Sequence, residues 1–322
     1  MRALAIIPIF NDWTSVAELV TRLDEVARTS ALSLQILLVD DGSTTDDGGR
    51  LAALRLTAVR ALDILRLRRN LGHQRAIAIG LAYVEQHVEH QAVVIMDGDG
   101  EDRPEDVPRL LAAMTVEGEE GESIVFAERL RRSEGLRFAS LYWLYRTIHR
   151  LLTGEQVRVG NFSAIPASLL PRLVAVSQLW NHFAAAVFDS RFRRRTVPTT
   201  RGRRYSGSSH LNYVDLTTHG LSAMSVFAAR IGVRLLVVTV VLAGVATIAI
   251  GAALAWLYIH GGPVPAWMAY LIGTLIVLIV QAAAVSLMFV FTILGGREGA
   301  AFLPLRDYAY YVARLDHVLP RP

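Results

Sequence analysis

Two apolar stretches late in the chain constrain its fold more than any other feature. Residues 235–259 are almost entirely apolar or small, and residues 264–294 are so again, with Gln281 the only strongly polar residue in the second. Each exceeds the roughly 20 residues needed to cross a bilayer. The connector at His260, Gly261, Gly262 and Pro263 carries no arginine, whereas Arg230, Arg234, Arg297 and Arg306 flank the outer ends. By the positive-inside rule, both chain ends of such a two-span hairpin lie in the cytoplasm. A buried hairpin in a soluble protein is the competing reading, and two adjacent spans this long weigh against it.

Met1-Arg2-Ala3 opens directly into a strand-like run, without the apolar region and cleavage site of a secretory signal. The expected organisation is therefore a cytoplasmic domain over residues 1–207 and an amphipathic membrane-surface linker over 208–233. Two spans within 234–296 follow, at about 235–259 and 266–294, then a cytoplasmic tail over 297–322. The chain has no cysteine, which excludes disulfides and thiolate metal sites. All 33 of its Lys and Arg positions are arginine, a bias that GC-rich codons explain. At individual sites it also supplies groups that bind phosphate bidentately. A net charge of +4, with no basic block interleaved with aromatics, points away from nucleic acid.

Ahead of the spans, strand-like and helix-like segments alternate. Strands are expected over residues 3–8, 34–39, 62–67, 93–96 and 123–126, and helices over 14–29 and 74–87. This alternation implies a mostly parallel sheet with helices on both faces. Such sheets bind ligands at the carboxyl ends of their strands. The fourth strand ends in Asp97-Gly98-Asp99-Gly100-Glu101-Asp102, four carboxylates within six residues. Such a cluster repels itself unless a cation holds it, and hard oxygen ligands suit Mg²⁺ or Mn²⁺. Turn statistics alone leave a solvated acidic turn equally open. The sheet rule adds that residues 8–12, 40–43 and 97–102 converge on one edge.

These segments resemble family 2 glycosyltransferases. Ile7-Pro8-Ile9-Phe10-Asn11-Asp12 is similar to the family's opening Pro-x-Tyr-Asn-Glu, and Val39-Asp40-Asp41-Gly42-Ser43 to its Val-Asp-Asp-Gly-Ser. Asn70-Leu71-Gly72-His73 with Ala76 resembles Asn-x-Gly-x-x-x-Ala, and Asp97-Gly98-Asp99 stands at its Asp-x-Asp. Together with the apolar pair, the order of motifs resembles the polyprenyl-phosphate branch, such as dolichol-phosphate mannosyltransferase and bactoprenol glucosyltransferase. The resemblance runs to about Gly296. It implies an α/β fold: a GT-A-type nucleotide-sugar-binding domain with a mostly parallel sheet, followed by a two-helix transmembrane hairpin.

The resemblance also implies roles. Pro8, Phe10, Asn11, Asp12, Asp40, Asp41, Asn70 and Asp97 would line the site of a UDP- or GDP-linked sugar. Asp40 and Asp41 would hold its base and ribose. Asp99 and Glu101 would bind Mg²⁺ or Mn²⁺, with Asp97 toward the sugar and Asp102 outside the metal set. Ala127-Glu128-Arg129-Leu130-Arg131-Arg132 resembles Gly-x-Arg-x-x-Arg, making Arg129 and Arg132 the grip on a lipid phosphate. Gly160-Asn161-Phe162-Ser163 looks like the Gly-Asp-Phe-Arg acceptor loop, with Asn161 for Asp and Ser163 for Arg. A hydroxyl acceptor needs a carboxylate base, whereas a phosphate monoester with a second pKa of about 6 does not. An amide at position 161 thus suits a phosphate acceptor. Arg204-Tyr205-Ser206-Gly207-Ser208-Ser209 resembles Arg-x-x-Gly-x-Ser, which places Arg204 and Ser209 beside diphosphate and acceptor. The arginines at 191, 193–195, 201 and 203 form the densest basic region, suited to anionic headgroups or to a solvated strand pair.

The implied activity is inverting transfer of one sugar to polyprenyl phosphate, with Asp97, Asp99, Arg129 and Arg204 as the catalytic set. The implied location is the cytoplasmic face of the inner (plasma) membrane, with membrane lipids as partners and a homo-oligomer, a tetramer in relatives. Two other readings compete. A processive polysaccharide synthase would carry Gln-x-x-Arg-Trp, which Gln178-Leu179-Trp180 does not complete. A non-catalytic nucleotide-binding scaffold would have no use for an intact Asp97-x-Asp99 with Arg129 and Arg204.

Overall fold

The computed structural model describes residues 1–47, 49–115, 121–129, 147–155, 159–206, 213–261, 265–298 and 302–319. Arg132, Gly207 and Ser209 lie outside the described residues. Contacts divide the chain into two units. The first holds the described residues up to 129, those from 159 to 226, and those from 302 onward; the second holds residues 147–155 and 227–298.

The first unit is built on one sheet of eight strands: β1 (Arg2–Ile9), β2 (Ser33–Asp40), β3 (Val59–Leu67), β4 (Ala92–Ile95), β5 (Ile124–Arg129), β6 (Val159–Pro166), β7 (Arg194–Thr199) and β8 (Val312–Leu319). Their order is β7-β5-β6-β4-β1-β2-β3-β8. The central strands are parallel: Ile6 of β1 lies opposite Leu37 of β2 and Ile95 of β4. β6 runs antiparallel to both β4 and β5, and β8 antiparallel to β3.

The apolar runs make the centre, because a parallel sheet must be covered on both faces. In β1, Ala3, Ala5, Ile7 and Ile9 belong to the core beneath α1 (Trp13–Thr29), whose Val16, Leu19, Val20 and Leu23 recur at helical spacing. The intervening Leu4 and Ile6 are equally buried on the other face, where α2 (His73–His87) packs. There Gly80 leaves no room for a side chain against Ile6 and Val39. α1 is pinned by the buried Asp24, whose carboxylate accepts the backbone N–H groups of Thr57, Ala58 and Val59 at 2.7–3.0 Å. Burial alone would push that carboxyl up, but these donors hold it below the usual range.

The expected strands are present, each longer or shifted by a few residues, and three more join them. β6, expected as an acceptor loop around residues 160–163, is instead a buried strand. β7 takes in part of the basic region as an edge strand beside β5. The tail, expected as a separate segment, returns to the sheet as β8.

In the second unit, helices Ala228–His260 and Ala266–Glu298 are each long and apolar enough to cross a membrane. They run past the expected ends because Arg230, Arg234 and Arg297 continue the helices beyond their apolar parts. They pack as an antiparallel pair, with Gly232 against Phe289, Val290 and Ile293, and Thr239 Oγ1 3.1 Å from Ser286 Oγ. Elsewhere Val240, Val245, Ile248, Ile259, Val285 and Phe291 are more than half exposed.

Candidate active site

β1, β2 and β4 are neighbours running in one direction, so their carboxyl ends form the expected common edge. At the β2 end, Asp40 and Asp41 are 2 % and 4 % exposed. Asp41 Oδ1 accepts Leu71 N–H at 2.7 Å and its Oδ2 accepts Gly72 N–H at 2.8 Å. Burial and the adjacent Asp40 charge still leave its carboxyl above the usual range. Asp40 accepts Ser43 N–H at 2.9 Å through Oδ1 and Arg66 Nη1–H at 2.9 Å through Oδ2. The turn between these strands is possible only with glycine. Gly42 has φ +73°, and a Cβ there would lie 2.7 Å from the Arg69–Asn70 backbone.

Pro8 is buried inside β1, Phe10 is half exposed at its tip, and Asp12 precedes the first turn of α1. Asn11, at φ 57°, bolts β1 to the β2 loop. Its Oδ1 accepts Thr44 N–H at 2.8 Å and Thr45 N–H at 3.0 Å, and its backbone N–H donates to Ser43 Oγ at 2.9 Å. Asn70 is exposed on the loop before α2.

At the β4 end, Asp97, Asp99 and Glu101 line up along the acidic loop. The buried Asp102 braces it from below by accepting Asp97 N–H at 2.9 Å. The segment 200–206 is fastened on top. Arg204 Nη2–H donates to Asp99 Oδ2 at 2.7 Å, and Arg201 Nε–H to Glu101 Oε2 at 2.9 Å. Gly202 N–H reaches Glu101 O at 2.8 Å, and Tyr205 N–H reaches Asp99 O at 3.0 Å. Gly100 must be glycine, because at φ +88° a Cβ would lie 2.5 Å from the Tyr205 ring. Burial and the charges of Asp97 and Glu101 push the Asp99 carboxyl up, against the pull of Glu101 N–H and Arg204. A cavity of about 670 Å³ opens beside this loop, between α1 and segments 100–105 and 202–206.

The carboxylates suit a divalent cation. Among the described residues no three acidic or imidazole groups converge on one point. Asp99 and Glu101 are oxygen donors of the kind Mg²⁺ and Mn²⁺ take, and an ion there would need phosphate oxygens and water to complete its shell. Burial first, and then the charges of Asp97 and Glu101, keep the Asp99 carboxyl above its usual range, and a cation at this loop would oppose both.

Three side chains at this edge carry no donor, metal or acceptor role in the sequence expectations. His73 Nε2 lies 3.1 Å from Asp97 Oδ1 and 3.0 Å from Asn161 Nδ2. Desolvation opposes charge on this ring, but Asp97, Asp102 and Asp41 override it and raise its pKa. Asn161 is oriented from behind, since Phe183 N–H donates to Gln74 Oε1 at 2.8 Å and Gln74 Nε2–H to Asn161 Oδ1 at 3.0 Å. An amide directed in this way presents its NH₂ to His73. Arg201 and Arg66 are the other two; a lone histidine and two arginines in an arginine-rich chain give no signal of their own. The backbone of Arg129 stands at the end of β5, opposite Thr199.

A parallel nucleotide-type sheet with an acidic loop at its carboxyl edge defines a GT-A glycosyltransferase domain. Residues 4–173 match the family described as Glycosyl transferase family 2, so the chain belongs to that family and is a glycosyltransferase. It is 27% identical over 244 residues to an undecaprenyl-phosphate 4-deoxy-4-formamido-L-arabinose transferase of Klebsiella pneumoniae, covering 70% of this chain and 71% of that one. The Erwinia tasmaniensis protein of the same name is 33% identical over 129 residues, 40% of this chain and 37% of that one. Among solved structures, glucosyl-3-phosphoglycerate synthase from Mycobacterium tuberculosis, in complex with Mn²⁺, UDP-glucose and phosphoglyceric acid, matches with TM-score 0.50 and 18% identity. That match covers 72% of this chain and 80% of that one. Mannosyl-3-phosphoglycerate synthase from Rubrobacter xylanophilus matches with TM-score 0.50 and 16% identity, over 71% and 74%. These two likenesses concern the fold.

Proposed function

We propose that this glycosyltransferase moves a single sugar, with inversion, from a UDP- or GDP-linked donor to polyprenyl phosphate at the cytoplasmic face of the inner membrane. The observation that carries the reading is the acidic loop Asp97–Glu101 with Arg204 and Arg201 docked on it. One crevice thereby holds counter-charge for two anions, the departing diphosphate and the incoming phosphate. The relatives named for undecaprenyl phosphate support this acceptor class. The two apolar helices support the membrane location. The chain leaves the α/β unit after Val226 and returns to its sheet as β8, which supports the reading that both ends of the hairpin are cytoplasmic.

Asp40 and Asp41 recognise the nucleoside from fixed positions at the β2 end. Asp99 and Glu101 would hold Mg²⁺ or Mn²⁺, which supplies charge neutralisation for the leaving diphosphate. Arg204 is the chain's own cation at the same place, able to leave Asp99 for a phosphate oxygen. Arg129, Arg132 and Ser209 hold the acceptor phosphate. Its oxygen bonds to the anomeric carbon from one face as the bond to the diphosphate breaks on the other. With a second pKa of about 6, that phosphate is anionic and needs no base. Asn161 fits this chemistry. An amide so close to the His73–Asp97 pair adds no negative charge where a phosphate must enter.

The test uses membranes carrying the full chain, polyprenyl phosphate, Mg²⁺ or Mn²⁺ and a panel of radiolabelled nucleotide sugars. Label in the lipid extract, lost with Asp99→Ala, is the expected outcome. No labelled lipid with any donor, or full transfer by Asp99→Ala, would sink the reading.

A further inference from the structure

The C-terminal strand β8 contributes to the donor site without entering it. Arg66 lies on β3, directly opposite Asp40 of β2 on one side and Arg314 of β8 on the other. Two arginines facing each other across a strand pair repel. Asp316, two residues along β8, lies between them. Its Oδ2 accepts Arg66 Nε–H at 2.6 Å, and its Oδ1 is 3.0 Å from Arg314 Nε. The bond from Arg66 keeps the Asp316 carboxyl below its ordinary range. The guanidinium so anchored rests 5.7 Å from the centre of the Trp13 ring and gives Nη1–H to the buried Asp40. Trp13 in turn donates Nε1–H to Thr45 O at 2.9 Å, closing the loop that Asn11 bolts to β1.

We infer that Asp316 is a positioning residue for nucleoside recognition: through Arg66 it fixes the orientation and charge balance of Asp40. The strand that follows the apolar hairpin in sequence therefore completes the donor pocket. This rests on the reading of Asp40 as a nucleoside-binding group. Asp316 is one-third exposed and distant in sequence from every donor motif, so its effect on the donor passes through Arg66.

The full chain in detergent is the material. Binding of UDP and GDP and the steady-state constants for donor and polyprenyl phosphate are measured together. Asp316→Ala should raise the nucleotide Kd and the donor KM roughly five- to tenfold while kcat and the polyprenyl phosphate KM stay within about twofold. Asp316→Glu should recover part of the loss. His317→Gln is the control: it exchanges the ring that lies 2.6 Å from Asp63, on the opposite face of the same strand, for a neutral amide. It should lower the melting temperature and leave the donor KM unchanged. On an Arg66→Met background, Asp316→Ala should add nothing further. Equal nucleotide binding by wild type and Asp316→Ala overturns the relay alone, as does an additive double variant or an equal KM rise in His317→Gln. If the wild type binds neither UDP nor GDP, the donor-site reading falls and the relay with it.

Discussion

The β2 and β4 ends of the sheet's carboxyl edge hold their carboxylates in opposite ways. At the β2 end, Asp41 is gripped by two backbone N–H groups and Asp40 by one, with Arg66 locked between strands. These partners cannot leave without unfolding the edge of the sheet. At the β4 end, Asp99 keeps one backbone donor, Glu101 N–H, but the remaining hold on Asp99 and Glu101 comes from arginine side chains of a covering segment, and Arg201 is nearly half exposed. Such pairs are worth little individually and exchange readily for other ions. In the proposed reaction, recognition needs fixed acceptors, whereas the reacting end would trade one cation for another during each turnover. The difference predicts that similar substitutions at the two ends fail in different ways.

Asp99→Asn gives the largest effect. Loss of the carboxylate proposed to bind the ion should cut transfer by about 10²–10³-fold. Its stability should move the other way. The folded-state carboxyl is raised, so the ionised form costs stability at neutral pH; what it contributes is present in acid and fades as pH rises through the folded value. The neutral amide should therefore raise the melting temperature. A variant both active and less stable would break the contrast.

Asp41→Asn is next and should do the reverse. The amide must turn its NH₂ toward Leu71 N–H or Gly72 N–H, leaving a buried donor without an acceptor. The expected cost is about 1–3 kcal/mol of unfolding free energy, read by denaturant titration, together with loss of nucleotide binding. Unchanged stability would mean that the β2 end is no more rigid than the acidic loop.

Much of this arrangement is legible in the sequence, and the illegible part has one physical character. β1, β2 and β4 are apolar on both faces, so their residues declare a buried parallel core. β7 and β8 are edge strands, and Arg-Arg-Thr-Val-Pro-Thr or Val-Ala-Arg-Leu-Asp-His satisfies a solvated edge without the apolar run that signals a strand. Asp40, Asp41, Asp97 and Asp99 stand in motifs that survive translation into geometry. The partners that hold them are single residues brought in from far along the chain. Arg201 lies 100 positions from Glu101, and Asp316 lies 250 from Arg66. No local spacing encodes such pairs. The paired ends of the expected acceptor site, Arg132 and Ser209, fall outside the described residues.

Arg201→Ala sharpens the comparison from the reacting side. At the proposed ion site its guanidinium would compete with a divalent ion for Glu101, so removing it should tighten Mn²⁺ binding a few-fold in the absence of donor. Folding stability should change by under about 1 kcal/mol. Titration of the ion by its electron spin resonance signal reads the first, and thermal melting the second. Weaker Mn²⁺ binding would make Arg201 part of the ion site rather than its competitor.

The smallest effect belongs to His73, which stands where the two ends meet, near both Asp41 and Asp97. Its ring has two alternatives at Nε2. Protonated, it donates to Asp97; neutral with the lone pair there, it accepts from Asn161. Asp97 leads the charges that raise its pKa above the ordinary 6.5 against desolvation. For a raised group, the stabilisation is complete below the unfolded value and is lost as pH climbs through the folded one. Wild-type melting temperature should therefore fall more steeply as pH rises above 6.5 than that of His73→Gln, whose amide keeps a hydrogen bond without titrating. The donor kcat/KM should lose its alkaline limb in the same variant, because a charged ring favours an anionic donor over the crevice and a neutral one does not. Parallel profiles for the two proteins would place the ring outside the charge balance of the site.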